Sequence, residues 1–206
     1  MAKTKRFSVL ILLALVASLN LSCSAIKEGR PRIGVGYGAP VKYGEGRHPG
    51  LDYSIPKGTP IIACSDGKVV SIRERNDPTD PGKGGFYVFL EHYDEVSKPY
   101  YSVYAHLSEV FVSYFQTVQR GQLIGLSGES HNGYQHLHFG LVKTHGGGAY
   151  ISNTYNPNKW GLDGGKPECF DPEKDYSKYP FGAITIPVAC RKYKKILRGK
   201  IKNLEK

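Results

Sequence analysis

Five side chains in this chain stand at spacings that suit a hydrolytic metal centre. His48 and Asp52 frame the run His48-Pro49-Gly50-Leu51-Asp52, and His106 stands in Tyr104-Ala105-His106-Leu107. His136 and His138 follow in His136-Leu137-His138-Phe139. Imidazoles and carboxylates are donors that zinc accepts, and a hydrolytic zinc site uses three protein ligands and keeps one position open for water. The five residues therefore offer three ligand candidates and two spare imidazoles.

Their positions make demands on the backbone. In a strand, side chains two apart share a face. His136 and His138 would project into one cleft, roughly 6–7 Å apart along the backbone, with Leu137 turned into the core. His48 and Asp52 are four apart, which is roughly 13 Å on a straight strand. Both could not then reach one zinc ion at about 2 Å. The chain between them must bend, and Pro49-Gly50 supplies a fixed φ followed by a permissive residue.

The motifs and their flanking text resemble the LytM/lysostaphin-type peptidoglycan metallo-endopeptidases, whose signature runs H-x-G-x-D, a Y-x-H-L-like histidine, then H-x-H. The likeness extends over roughly residues 33–141 and takes in Asp52-Tyr53, Gly58-Thr59-Pro60, Asp66-Gly67-Lys68-Val69 and Gly125-Leu126-Ser127-Gly128. Carried over residue by residue, the resemblance implies that His48, Asp52 and His138 bind one Zn²⁺. His106 and His136 are then the catalytic pair beside it. It further implies an endopeptidase that hydrolyses peptide cross-links or stem peptides of bacterial peptidoglycan. One rival is a non-catalytic member that binds or activates other cell-wall hydrolases. Such members typically lose a ligand, whereas all five positions are filled here. A secreted toxin of the lysostaphin type is a third reading, and a lipoprotein-like signal counts against it. Whether the bond cut is D-Ala–diaminopimelate or a glycine bridge stays open, with that signal favouring a diderm envelope and a direct cross-link.

Three more histidines lie outside these motifs. His92 ends an alternating strand and is expected in solvent, His145 lies in a glycine-rich loop, and His131 is expected in a solvated loop near the rim of the site.

The elements that must position the site read as strands. Residues 61–64, 68–73, 86–92, 100–106, 110–114, 121–125 and 136–142 are short and rich in β-branched or aromatic residues, with turn signals between them. This spacing predicts an all-β fold, a compact antiparallel β-sheet or sandwich. The family resemblance adds a loop-walled active-site groove. Residues 144–168, rich in Gly, Asn and aromatics and holding the single tryptophan Trp160, read as an insertion. It could wall the groove or decorate the surface.

The ends carry other information. Lys3, Lys5 and Arg6 precede an apolar stretch from Phe7 to Leu21, the pattern of an export signal over residues 1–22. Leu19-Asn20-Leu21-Ser22-Cys23 resembles a lipoprotein processing site, with cleavage near Ala25 as the alternative. Residues 23–32 read as a tether, 33–190 as the metallopeptidase domain and 191–206 as a basic tail. The chain is expected in the cell envelope, anchored through a lipidated Cys23. Export permits disulfides: Cys169 and Cys190 are placed to staple the segment after the core, and Cys64 reads as a buried thiol. Residues 23–190 hold 17 Lys or Arg against 17 Asp or Glu. The overall charge of +10 therefore sits in the signal and the tail. An exported chain without a nucleic-acid motif has no nucleic-acid partner to suggest, and the tail fits an anionic membrane or envelope polymer better.

Overall fold

Period-two burial organises the sheet. In Phe86–Tyr93, Val88, Leu90 and His92 face inward, and the residues between them face out or sit at the margin. A computed structural model of the chain describes residues 29–204 apart from 43–44, 76–83, 95 and 147–149. The expected signal peptide, Cys23 and most of the tether lie outside the described residues.

Among the described residues the main elements are β1 (Arg32–Val35), β2 (Leu51–Ser54), β3 (Pro60–Ile62), β4 (Gly67–Glu74), β5 (Phe86–Tyr93), β6 (Pro99–Val110), β7 (Thr117–Val118), β8 (Leu123–Glu129), β9 (Gln135–Val142), β10 (Thr154–Tyr155) and an α-helix, α1 (Arg191–Leu204). They form a ten-stranded sheet in the order β1-β2-β9-β8-β6-β5-β4-β7, with β3 beside β8 and β10 beside β9. Among the described residues every strand pairing is antiparallel. The all-β architecture expected from the sequence is the one the chain adopts. The expected strand at 110–114 is absent, however. β6 runs on through Val110, and the following residues turn at Tyr114 and Phe115, whose φ of 66° is left-handed.

The core gathers the inward faces of these strands, including Leu51, Val88, Leu90, Tyr104, Leu107, Leu137 and Phe139. Trp160 packs on this core against Tyr100 and Tyr155, with ring centroids 4.7 and 4.8 Å away. Residues 144–168 thus serve the structure in two ways. Their later part packs on the core, and their earlier part braces the chain leading to His48. There the Ser152 hydroxyl donates to Glu45 Oε1 at 3.0 Å, and Tyr37 Oη donates to the Thr154 carbonyl at 3.3 Å.

Beyond them a disulfide joins Cys169 to Cys190 across 21 residues. Closing a loop of that length stabilises the fold by about 3 kcal/mol through the entropy of the unfolded chain. Cys64 is a free, fully buried thiol. The basic segment after Cys190 folds as α1 and runs through Gly199. Leu197 is buried against Ile62 and Ala189, and Tyr193 Oη donates to the Gly121 carbonyl at 3.1 Å. Arg191 and Lys195 stay exposed.

His92 is not in solvent, contrary to expectation. Alternation carries it to the same face as Leu90, and β6 lies alongside with the Tyr100 ring stacked 5.0 Å away. Burial is tolerated because both ring nitrogens have partners, the Asp66 carbonyl at 2.6 Å and the Ser102 hydroxyl at 2.7 Å. Burial pushes its pKa down to about 4. The folded state therefore resists protonation that the unfolded chain accepts near its ordinary value of about 6.5. The neutral form's contribution is intact above that value and is lost as pH falls through the window down to about 4, on the order of 3 kcal/mol. Urea unfolding at pH 7 and pH 4.5 should show this loss, and a His92→Gln chain should show a smaller one. Equal acid sensitivity in both would rule His92 out as a cause.

Candidate active site

The run from His48 to Asp52 bends as its spacing requires. Residues 48–50 lie outside any strand, and the chain becomes extended only at Leu51. His48 is pinned through its own backbone, donating N–H to the Ala39 carbonyl at 2.8 Å and accepting from Gly38 N–H at 2.8 Å. Close approach explains Gly50: a Cβ there would stand 2.4 Å from the Phe139 carbonyl oxygen and 3.0 Å from the His138 ring.

Strand pairing then brings distant residues together. β2 lies beside β9 with Asp52 directly opposite His138. Asp52 Oδ1 is 3.0 Å from His48 Nε2 and 2.9 Å from His138 Nδ1, and those two nitrogens are 3.0 Å apart. The three donors form a small triangle of a kind that could hold a metal ion. His48 Nδ1 faces the Gly36 carbonyl at 3.1 Å. A carbonyl only accepts, so Nδ1 carries the proton of the neutral ring and Nε2 offers its lone pair to the triangle. Burial alone would raise the Asp52 carboxyl, but hydrogen bonds to His138 and His48 outweigh it and hold it well below the usual carboxylate range.

His106 reaches the same place by a different device. The first half of β6 pairs with β9, down to Ala105 opposite His138, and the second half pairs with β8 from Leu107 onward. His106 sits where the partner changes, with a left-handed φ of 63°. For a residue other than glycine this conformation costs roughly 1–2 kcal/mol, and such outliers concentrate at functional sites. Room for the turn comes from Gly128, where a Cβ would lie 2.7 Å from the His106 carbonyl oxygen.

The His106 ring lies 4.6 Å from that of His136 and 6.4 Å from that of His138. His136 Nε2 is 3.9 Å from Asp52 Oδ1, so His136 and His138 do present one face, and Leu137 is fully buried between them. Burial, with the neighbouring His136 and His138 rings, pushes His106 down to about 3, and burial also lowers His136. Each ring has a backbone partner for Nδ1, the Gly84 carbonyl at 2.9 Å for His106 and the Tyr134 carbonyl at 2.9 Å for His136.

All five residues singled out by sequence thus converge. His131 is exposed, and so is His145, which packs beside Phe89 and Tyr101. Sequence reasoning passed over Tyr134, whose ring lies 4.7 Å from His136 and whose hydroxyl meets the Ser54 hydroxyl at 3.1 Å. Its place two residues before His136 was the available signal.

The description "Peptidase family M23" matches residues 46–152, a span that holds all five residues. The chain belongs to peptidase family M23, a metalloprotease family, and membership implies a metal. The chain is similar to the peptidoglycan DD-endopeptidase ShyA of Vibrio cholerae, 40% identical over 46% of this chain and 20% of that one. It is also similar to the uncharacterized lipoprotein YgeR of Escherichia coli, 30% identical over 63% of this chain and 46% of that one. Among solved structures, the catalytic domain of lysostaphin from Staphylococcus simulans superposes with a TM-score of 0.50 at 30% identity, covering 62% of this chain and 89% of that domain. The chain spans less than half the length of either curated relative.

Proposed function

We propose that this chain is a zinc-dependent endopeptidase that hydrolyses peptide cross-links or stem peptides of bacterial peptidoglycan. The observation that carries the reading is the convergence of His48, Asp52 and His138 within 3.0 Å of one another, with the His106 and His136 rings alongside.

His48 Nε2, Asp52 Oδ1 and His138 Nδ1 would hold Zn²⁺. Two imidazole nitrogens and one carboxylate oxygen suit zinc, and the Gly36 carbonyl on His48 Nδ1 fixes the tautomer that a ligand needs. When bound, zinc supplies Lewis acidity, which polarises a carbonyl and acidifies water.

The remaining work falls to side chains. His106 and His136 keep Nδ1–H on backbone carbonyls, which leaves each Nε2 as a free lone pair. Burial favours the neutral form of both rings. One neutral ring can take a proton from attacking water and later return it to the leaving amine. The other can donate toward the oxygen on which negative charge develops once its Nε2 is protonated, since only the imidazolium donates from both nitrogens.

In this reading the protein is exported to the envelope and tethered through Cys23. The signal-like residues 1–23 support that, and so does the likeness to a chain named as a lipoprotein. The exposed Arg191 and Lys195 of α1 would add attraction to an anionic surface.

The test is digestion of purified peptidoglycan with the zinc-loaded, chelated and reloaded protein, followed by mass spectrometry of released muropeptides. Cleaved peptides should appear, vanish on chelation and return on reloading. A chain that holds about one zinc and releases none would instead be a binding module.

A further inference from the structure

Granting the peptidase reading, the structure also points to what the peptide carries. A slot of about 270 Å³ is lined by Gly84, Leu107 and Ser108, which neighbour His106 in space or sequence, and by Lys57, Gly128 and Glu129. Backbone that lines it also touches the histidine pair. The Gly84 carbonyl accepts from His106 Nδ1–H, and Gly128 lies opposite His136 in the β8–β9 pairing. Lys57 Nζ and Glu129 Oε1 meet there at 3.0 Å, with side chains 51% and 39% exposed. The backbone N–H of Lys57 donates to Gln135 Oε1 at 3.0 Å, which ties the pair to the residue preceding His136.

An ion pair this exposed adds little to stability. Either charge can therefore leave its partner for a ligand group at small cost, and a ligand with both charges replaces one internal contact with two external ones.

We propose that this slot is a substrate subsite for a zwitterion: a side chain ending in an ammonium and a carboxylate on one carbon. The free end of a diamino acid in a directly cross-linked stem peptide is such a group. Glu129 takes the ammonium and Lys57 the carboxylate, through charge-assisted hydrogen bonds. A glycine bridge offers neither group to the slot. The chain therefore prefers charged, direct cross-links to uncharged bridges.

The test uses three cross-linked peptides that differ only at that side-chain end: free, carboxamide-capped and N-acetylated. The parent protein should cleave the free form with kcat/KM roughly tenfold above either capped form. Lys57→Gln should bring the free-to-carboxamide ratio to near one while the N-acetyl ratio persists. Glu129→Gln should do the reverse. Equal cleavage of all three peptides by the parent would overturn the subsite and leave the peptidase reading standing, as would ratios that ignore both substitutions. A parent that cleaves none of the three, nor any purified peptidoglycan, would overturn both.

Discussion

An Asp52→Ala chain should purify nearly free of metal where the parent holds about one ion, and its peptide cleavage should fall below detection. Asp52 Oδ1 stands 2.9–3.0 Å from the nitrogens of both flanking histidines, so its removal takes the only anionic donor from the triangle. Two neutral imidazoles cannot replace that charge. Binding to the folded state alone also raises stability, by about 2.7 kcal/mol when free ligand is 100 times Kd. Added zinc should therefore raise the melting temperature of the parent and leave that of Asp52→Ala nearly unmoved. Metal analysis together with a melting series decides the matter. An Asp52→Ala chain with a full complement of zinc would remove Asp52 from the ligand set.

Replacing His106 or His136 by Ala should separate chemistry from binding. Neither ring belongs to the triangle, so metal content should stay near one per chain. Turnover should drop by roughly 10²–10⁴, the range for losing a positioned proton carrier. His136 makes the sharper case, since its neighbours Leu137 and His138 are held by pairing with Tyr53 and Asp52 on β2. Steady-state cleavage of a soluble cross-linked peptide, measured beside zinc content, checks both variants. Near-parental turnover in either would dismiss that histidine from catalysis. Loss of zinc along with turnover would move it into the metal-binding shell.

Much of the site was legible in the chain because parts of it are local. Period-two geometry alone puts His136 and His138 on one face with Leu137 behind them. The bend at Pro49-Gly50 follows from the distance between His48 and Asp52 and the short reach of a metal ion. The same alternation, followed one step further, would have placed His92 inside. It went astray because a strand end was equated with solvent, whereas β6 extends alongside and supplies Tyr100 and Ser102 as cover. The segment 110–114 misled for a related reason: apolar residues that looked like a new strand finish β6 and then turn.

By itself the sequence determined which residue types are available, the period of each strand and the local bend. Tertiary structure decided what those residues meet. Asp52 and His138 are 86 residues apart and become neighbours only because β2 chooses β9 in one register. Register is a property of the pair, since slipping one strand by one residue would turn its whole buried face outward. His106 depends on more still. Its left-handed φ arises where β6 leaves β9 for β8, and Gly128 on a third strand makes the turn possible. No local propensity favours that conformation for histidine. It persists because three strands converge there and their hydrogen bonds and close packing hold it.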